Sequence, residues 1–397
     1  MTVWIHSPFD NLPHEGFRKQ RYWLMAEAFV AAGDTVVYWT SDFNHGTKAT
    51  RKLVTTVDSP VDLRLVKTIP YAANVSLKRM ASHVAYARRL AREVRDATCD
   101  SRRPTCGGER TTYGLAKPDL IVSATPMLGA AKVLLGFARR VGARFVLDVQ
   151  DAWPETFGRL GLPKFLLAPM YRVAKRLYRE ADAVTGVSER YRVIVNRPDY
   201  RVFYHGIAPS HPYREPPHVY RGASRPRRVN ALLYLGNLGA GYDLATVIAA
   251  VAQDPSLTLD IAGKGPREQE LRVQVVSLKL ADRVRFHGYL GAAELAALAA
   301  TCSVGVIPMR DDSWVGLPYK LGDYLAAGLP VISSLHGECG ELLAREGLGV
   351  TYDFGSPDSF LEALTALPSG PVTLPDLLRA DLIYPKFVAF LKGTFNG

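Results

Sequence analysis

The chain alternates short apolar runs with amphipathic stretches, an order that is typical of α/β proteins. In the first half the apolar runs predict six strands, at residues 2–6, 35–40, 63–68, 120–124, 144–149 and 183–187. In the second half they predict five more, at 231–236, 257–263, 283–288, 303–308 and 330–334. Apolar residues at helical spacing lie between several of these strands and predict helices such as 18–32 and 131–141.

The two series of strands are separated by residues 201–228, a stretch rich in proline, histidine and arginine that predicts an interdomain linker. A length of 397 residues also favours two domains. We therefore predict domains at 1–207 and 208–383, followed by a short closing helix within 384–397. Doubly wound sheets bind ligands beyond the carboxyl ends of their strands, so we expect a cleft between the domains with one ligand held by each.

Positive charge is concentrated in the first domain. Residues 1–207 carry 32 Lys and Arg against 19 Asp and Glu, whereas the whole chain has a net charge of +11. The densest stretch, Lys78 to Arg103, predicts a basic amphipathic helix. Its apolar positions are Met80, Val84, Ala87, Leu90 and Val94. Its basic side chains are typical of a solvated helix face, and they equally suit an anionic membrane surface. Nucleic acid is disfavoured, because aromatic residues do not alternate with the charges.

The sequence lacks the patterns typical of membrane-spanning proteins, of secretory signals and of cysteine metal sites. No run of about 18 apolar residues occurs, and the first residues lack the pattern of a secretory signal. The four cysteines have no metal-ligand spacing. We expect Cys302 and Cys339 to be buried thiols, and Cys99 and Cys106 to be a reduced pair in the cytoplasm.

The strongest local signal for chemistry is a short predicted helix that begins near Pro318 and ends at Gly328. Lys320 and Asp323 lie on one face of this helix, near its N-terminus. Free backbone N–H groups and a nearby lysine suit a diphosphate, and Asp323 could accept hydrogen bonds from ribose hydroxyls. A local ion pair on the helix surface explains the same spacing equally well.

The motif PYKLGDYLAAGLPV at 318–331 resembles the donor site of GT-B glycosyltransferases, especially family 4. The resemblance implies two Rossmann-like doubly wound domains that face each other across a cleft. Family 4 usually has two glutamates eight positions apart. The second corresponds to Asp323, and the first is replaced by Val315. Backbone groups from Gly316 to Tyr319 would then contact the sugar, and Lys320 would act on the diphosphate.

Two further loops of the second half are similar to donor-site loops of the same family. YLGNLGAGYDL at 234–244 would place Gly236, Asn237 and Gly239 close to the phosphates. IAGKGPRE at 261–268 resembles a turn close to the base, although an ordinary strand-to-helix turn has the same composition. Family members often carry Arg and Lys in the first loop. Here Asn237 and Tyr242 stand near those places, so Lys264 and Arg310 are further candidates for binding the diphosphate.

The first half contains matching motifs. HEGFRKQRY at 14–22 resembles the loop that faces the donor phosphates, which implies roles for Gly16 and Arg18. DVQDAWPE at 148–155 is similar to a pattern of enzymes of surface-polysaccharide assembly. Asp151 would lie under Trp153 with a raised pKa and act as a base, or it would cap the next turn. We interpret His205, near the hinge, as structural.

The resemblance implies a glycosyltransferase that uses a nucleotide-sugar, with no metal and no further cofactor, and retention of anomeric configuration is favoured. The acceptor would be a lipid-linked sugar or glycan, with the basic domain against the anionic inner face of a membrane.

Three other interpretations compete. A nicotinamide-dependent dehydrogenase is disfavoured, because Gly236, Gly239 and Gly241 have the wrong spacing and Asp260 lies inside a strand. A nucleotide-sugar epimerase would share the architecture. The third interpretation, a non-catalytic protein that binds membranes or nucleic acid, would account only for the positive charge of the first half.

Overall fold

In a computed structural model of the chain, residues 1–51, 59–72, 76–98, 114–159, 163–213, 230–310 and 313–396 are described. The predicted thiols Cys99 and Cys106 and the last part of the basic segment lie outside these residues. The chain forms two compact units. The first consists of Met1–Phe203 with Ile383–Gly397, and the second of Tyr204–Leu382. The C-terminal tail is therefore part of the first unit, whereas the sequence indicated a separate element.

The first unit is built on a seven-stranded parallel sheet with the order β5-β2-β1-β6-β7-β8-β9. Its strands are β1 (Thr2–His6), β2 (Thr35–Ser41), β5 (Val61–Val66), β6 (Leu120–Ala124), β7 (Arg144–Val149), β8 (Ala183–Gly186) and β9 (Arg201–Val202). A small antiparallel pair is formed by β3 (Phe43–Asn44) and β4 (Ala49–Thr50). The helices are α1 (Arg21–Ala31), α2 (Leu77–Ala97), α3 (Leu128–Val141), α4 (Glu155–Arg159), α5 (Lys164–Glu180) and α6 (Arg192–Val195).

The second unit repeats this design with a six-stranded parallel sheet in the order β12-β11-β10-β13-β14-β15. Its strands are β10 (Ala231–Leu235), β11 (Thr258–Ala262), β12 (Val284–Gly288), β13 (Val304–Ile307), β14 (Val331–Ser333) and β15 (Gly349–Thr351). Its helices are α7 (Leu244–Gln253), α8 (Glu268–Ser277), α9 (Ala292–Thr301), α10 (Tyr319–Ala326), α11 (Glu341–Arg345) and α12 (Pro357–Thr365). The last helix, α13 (Ala380–Asn396), ends within the first unit.

Strand order explains where a ligand can bind. In each sheet the chain begins at a central strand, winds outward in one direction, returns to the centre and winds outward in the other. Such a doubly wound sheet opens a crevice at the carboxyl ends of the strands where the direction reverses. In the second unit this point lies between β10 and β13, and in the first unit between β1 and β6.

Both faces of the second sheet are covered, as parallel sheets require. Successive residues of β10 alternate between two apolar clusters, with Leu233 and Leu235 on one side and Leu232 and Tyr234 on the other. Because both sides of the sheet face apolar side chains, successive residues of a strand can all be apolar. The strands of this sheet are therefore continuous apolar runs in the sequence. Cys302 and Cys339 are buried and free, as predicted.

Two details of the sequence interpretation were wrong. Arg201 and Val202, assigned to the linker, form the last strand of the first sheet. On α2, Leu90 and Val94 are buried as expected, but Met80 and Val84 are exposed. The buried face of α2 instead includes Ser82 and Tyr86, because the helix is rotated relative to its most apolar stripe.

Candidate functional site

The loops after β10 and β11 touch through their backbones. Gly236 donates its N–H to the carbonyl of Ala262 at 3.0 Å and has φ +134°. Gly263 has φ +156°, and a Cβ at that position would lie 1.7 Å from the carbonyl oxygen of Gly236. Only glycine is compatible with this crossing, because a side chain would separate the two loops. The contact places the backbone of Gly236 at the switch point of the second sheet.

Lys320 projects from the first turn of α10 toward the same loop. Its side chain is 8% exposed, and the Nζ atom lies 4.1 Å from the ring centres of both Tyr234 and Tyr242. A Cβ on Gly236 would lie 3.1 Å from this Nζ. Within the described part of the chain the Nζ has no hydrogen-bond partner. Burial lowers the pKa of the Lys320 amine well below its usual value, because the charged form loses hydration.

Asp323 lies three residues further along α10, and His211 fixes its orientation. The Nε2 of His211 is 3.1 Å from Oδ1 of Asp323, and both side chains are largely buried. The N–H of Tyr213 donates to Nδ1 of His211 at 3.3 Å, so the histidine carries its proton on Nε2 and donates it to the carboxylate. Sequence reasoning missed His211, because a histidine in a predicted linker carries no local signal.

Lys320 and Asp323 are not an ion pair. Both originate from α10, yet Lys320 points to the Gly236 loop and Asp323 is engaged by His211. The surface ion-pair interpretation of their spacing is therefore wrong. A buried amine with no hydrogen-bond partner among the described residues, next to glycine backbone, is a suitable environment for an anion.

The other predicted residues of the second unit lie around this core. Asn237 is exposed, and its carbonyl accepts a hydrogen bond from the Tyr234 hydroxyl at 2.7 Å. Gly239 is buried beside the Asn237 side chain. Lys264 and Arg310 follow β11 and β13, but both side chains are exposed. Lys264 lies against Gly288, and the Arg310 guanidinium lies 5.7 Å from the Phe354 ring centre.

Tyr319 precedes Lys320 and stacks on His205. The ring centres are 3.8 Å apart and the planes are inclined by 29°. Together with Ile207, Leu317 and Leu378 the pair borders a small groove within the second unit. This packing agrees with a structural role for His205 and leaves one edge of Tyr319 exposed.

In the first unit, Gly16 ends a single helical turn, Pro13–Glu15, with φ +80°. It is exposed, as a loop glycine with a left-handed conformation often is. Arg18 follows it and is half-buried.

Asp151 follows β7 at the carboxyl edge of the first sheet. Burial raises the pKa of its carboxyl, whereas the positive charge of Arg79 lowers it. The residue as a whole is exposed to solvent, although neighbouring protein atoms reduce the hydration of its carboxyl group. Trp153 is buried and donates its backbone N–H to the Asp151 carbonyl at 2.9 Å. Asp151 is thus exposed as a residue, whereas the sequence predicted that it would be buried under Trp153.

The neighbouring Asp148 has a different role. It is fully buried and accepts two hydrogen bonds of 2.8 Å from Arg21 and one of 2.7 Å from each of Tyr22 and Thr185. Arg21 also donates to the carbonyl of Phe203 at 2.6 Å. The motif at 148–155 therefore combines one carboxylate that holds the unit together with one that remains accessible.

Among the described residues, no group of three or more His, Cys, Asp or Glu side chains is arranged to hold a metal ion. No helix within that part of the chain has the length and apolarity needed to span a bilayer.

Comparison with known proteins gives one family match. Residues 230–369 match the model of the family described as Glycosyl transferases group 1. WcaL of Escherichia coli strain K12, whose name assigns it to colanic acid biosynthesis, is 32% identical over 92 residues. These residues are 22% of this chain and 23% of WcaL. Glycogen synthase of Mycobacterium tuberculosis strain H37Rv is 32% identical over 136 residues, which are 32% of each chain. The chain thus spans less than a third of either relative.

Solved structures resemble the chain over its full length. Sucrose-phosphate synthase from Thermosynechococcus elongatus has a TM-score of 0.70 and 16% identity, with coverage of 100% of this chain and 99% of that one. HepE of Anabaena, in complex with UDP and glucose, has a TM-score of 0.62 and 15% identity, with coverage of 99% and 100%. At these identities the likeness establishes the fold. The predicted GT-B fold, with two doubly wound α/β units, is confirmed.

Proposed function

We propose that this chain, whose residues 230–369 match the Glycosyl transferases group 1 family, transfers a sugar from a nucleotide-sugar to the hydroxyl group of an acceptor. The observation that carries the proposal is the buried amine of Lys320, which points to the Gly236 backbone and has no hydrogen-bond partner among the described residues. A diphosphate supplies the negative charge that this site lacks.

The same lysine explains how the bond to the sugar would break. Cleavage leaves charge on the departing diphosphate and on an oxocarbenium-like sugar, and a preorganised cation stabilises the first of these. Lys320 takes on this role because Asn237 and Tyr242 are uncharged at the places where relatives often have Arg and Lys. Lys264 and Arg310 are exposed and would assist only from the edge of the site.

Asp323 would bind the ribose. Asp323 lies three residues after Lys320 on α10, and His211 keeps its carboxylate oriented. Val315, at the place of the missing glutamate, packs partly buried against the apolar core. The sugar hydroxyls would therefore meet backbone groups of 316–319, together with the exposed edge of Tyr319.

On the acceptor side, Asp151 would accept or orient the proton of the attacking hydroxyl, since it is an exposed residue that directly follows β7 at the carboxyl edge of the first sheet. We further propose a lipid-linked sugar or a glycan as the acceptor, with no metal required and with retention of configuration. The partial likeness to WcaL supports a place in polysaccharide assembly.

The activity can be tested without knowing the acceptor. Glycosyltransferases hydrolyse their donor slowly, so we expect the purified chain to release one nucleoside diphosphate from a panel of UDP-, GDP-, ADP- and dTDP-sugars. Asp323→Asn should reduce this release about tenfold or more, because a charged hydrogen bond contributes about 1.5–3 kcal/mol. Conversion of a nucleotide-sugar to its epimer without release of diphosphate would instead show an epimerase.

Contact with a membrane would occur at the beginning of α2. Leu77, Met80 and Val84 are 89%, 40% and 50% exposed. Helix α2 also carries exposed basic residues, at Lys78 among these positions and at Arg88 and Arg92 further along. Phe165 and Leu166 are exposed in the first turn of α5. Helices that connect parallel strands begin at the carboxyl edge of the sheet, so the beginnings of α2 and α5 lie at that same edge. Apolar side chains among positive charges favour an anionic lipid surface.

We expect the chain to sediment with vesicles of phosphatidylglycerol and not with vesicles of phosphatidylcholine. The combined variant Leu77→Ser, Met80→Ser and Val84→Ser should bind about tenfold more weakly, since even partial insertion of three side chains contributes about 1.5–3 kcal/mol. Val273→Ser with Val276→Ser, which removes exposed apolar residues from α8, is the matched control and should bind normally. Equal binding to both lipids would rule out this docking surface.

A further inference from the structure

Thr125 lies next to the loop that carries Asp151. It directly follows β6, is 2% exposed, and donates its backbone N–H to the carbonyl of Asp148 at 3.0 Å. Strands β6 and β7 are neighbours in the first sheet, with Ala124 opposite Asp148. The side chain of Thr125 is therefore placed beside the end of β7, where residues 150 and 151 leave the sheet.

The hydroxyl group of Thr125 contacts the backbone of both Gln150 and Asp151. Its oxygen accepts a hydrogen bond from the N–H of Gln150 at 3.0 Å and a longer one from the N–H of Asp151 at 3.4 Å. The hydroxyl also donates to the carbonyl of Asp151, at 3.4 Å. A hydroxyl has one donor and two acceptor sites, so these three contacts use its whole hydrogen-bonding capacity.

Other contacts hold the remaining backbone groups of this loop. The Tyr191 hydroxyl donates to the carbonyl of Gln150 at 3.0 Å, and the N–H of Trp153 donates to the carbonyl of Asp151 at 2.9 Å. The backbone N–H and C=O groups of residues 150 and 151 thus all have a hydrogen-bond partner. Side chains that start from a backbone fixed in this way keep their place, which is what a reacting group requires.

The contacts of the Thr125 hydroxyl are not the usual local ones. Threonine hydroxyls often bond to backbone groups a few residues away in the sequence, as at helix caps and turns. The hydroxyl of Thr125 instead bonds to groups 25 and 26 positions further along the chain. It therefore connects the end of β6 to the loop after β7, at the carboxyl edge of the sheet where Asp151 is exposed.

We infer that Thr125 is a positioning residue for the transfer reaction, and that its hydroxyl sets the place of the Asp151 carboxylate relative to the attacking hydroxyl group. The inference rests on the proposed function, because it requires Asp151 to accept or orient the proton of that group. Thr125 acts through the backbone of the loop and not by contact with either substrate. A reacting group displaced by about 1 Å can lose roughly 100-fold in rate.

The kinetic test measures release of nucleoside diphosphate by the full chain from the nucleotide-sugar that the panel identifies, with water as the acceptor. Thr125→Val replaces the hydroxyl with a methyl group. It should lower kcat about tenfold or more and leave KM for the nucleotide-sugar within about twofold. Thr125→Ser keeps the hydroxyl and should retain most of the rate. Thr68→Val, which removes a hydroxyl that bonds to Ser82 at 2.9 Å in the same unit, is the matched control and should behave as the wild type does.

A double-mutant cycle separates positioning of Asp151 from a general loss of structure. Asp151→Asn should lower kcat, and adding Thr125→Val should lower it no further, because residues that act through one group are not additive. A further decrease of about tenfold in the double variant would overturn the inference. Thermal unfolding shows whether Thr125→Val is folded. If it is not, Tyr191→Phe, which removes the donor to the Gln150 carbonyl, replaces it in the cycle.

Hydrogen exchange gives a readout that does not depend on activity. The amides of residues 150 and 151 should exchange about tenfold faster in Thr125→Val than in the wild type or in Thr125→Ser, because they lose their acceptor. Unchanged exchange, or an unchanged kcat in Thr125→Val, would overturn the inference alone. A wild-type chain that releases no diphosphate from any nucleotide-sugar would overturn the proposed function, and the inference with it.

Discussion

Replacing Lys320 with methionine should reduce the rate of sugar transfer by about 10²- to 10³-fold, the effect of removing one preorganised donor from a developing charge. The same change should leave the unliganded protein as stable as before or more stable. The buried amine has no hydrogen-bond partner among the described residues, and a buried polar group in that condition destabilises the fold. Methionine preserves the shape of the side chain between Tyr234 and Tyr242.

The sign of the pH dependence follows from the same geometry. Burial lowers the pKa of the Lys320 amine, and a bound diphosphate would raise it again because the charged form gains a partner. Binding therefore takes up a proton between these two pKa values, and the affinity for the diphosphate falls as the pH rises through that interval. Initial rates and thermal unfolding of both proteins across pH provide the measurement.

Lys132→Met is the matched control for Lys320→Met. Lys132 is an exposed lysine of α3 in the first unit, and its removal should change neither rate nor stability appreciably. A Lys320→Met protein that transfers sugar at the normal rate would show that the amine does not act on the diphosphate. A protein that is strongly destabilised would show instead that the lysine has a structural partner.

Replacing Arg21 with methionine should destabilise the first unit by about 3–5 kcal/mol, because it leaves Asp148 as a buried charge without its cation. Burial tends to raise the pKa of Asp148, but Arg21 and the hydrogen bonds from Thr185 and Tyr22 lower it by more. The native carboxylate is therefore stabilising at neutral pH, and this contribution is lost as the pH falls through its lowered pKa. Urea unfolding followed by circular dichroism measures the change.

A second substitution distinguishes loss of the pair from loss of packing. Adding Asp148→Leu to Arg21→Met should recover much of the stability, since an apolar pair of similar volume avoids the desolvation cost. Arg176→Ala, which removes an exposed ion pair with Glu180, should cost less than about 1 kcal/mol. If Arg21→Met and Arg176→Ala lower the free energy of unfolding equally, the buried pair of Arg21 and Asp148 contributes no more to stability than an exposed ion pair.

Much of the fold could be predicted from the sequence because both sheets are parallel and covered on both faces. Continuous apolar runs such as Leu232 to Leu235 can be recognised without knowledge of tertiary contacts. Elements whose signal depends on their neighbours were missed. The edge strands β9 and β15 have two and three residues and pair with one strand each. Met80 and Val84 were assigned to the wrong face of α2, since apolar spacing does not show which stripe meets the sheet.

The candidate site, like the fold, could be predicted only in part. Lys320 and Asp323 could be proposed from one short motif, because α10 begins and ends with recognisable residues. Their environments could not be predicted, since Tyr234, Tyr242 and His211 come from other parts of the chain. His211 is 112 positions from Asp323 in the sequence. Neither this pair nor the contact of Lys320 with the two tyrosine rings produces a motif that can be recognised in the sequence.

The central claim, that the second unit binds a nucleoside diphosphate through Lys320 and Asp323, is tested most directly by thermal unfolding in the presence of UDP, GDP, dTDP or NAD. A ligand at 100 times its dissociation constant adds about 2.7 kcal/mol of stability. We predict that one nucleoside diphosphate raises the unfolding midpoint, that NAD does not, and that Lys320→Met and Asp323→Ala each remove the increase. Stabilisation by NAD alone, by none of the four, or by a diphosphate to the same extent in both variants would contradict it.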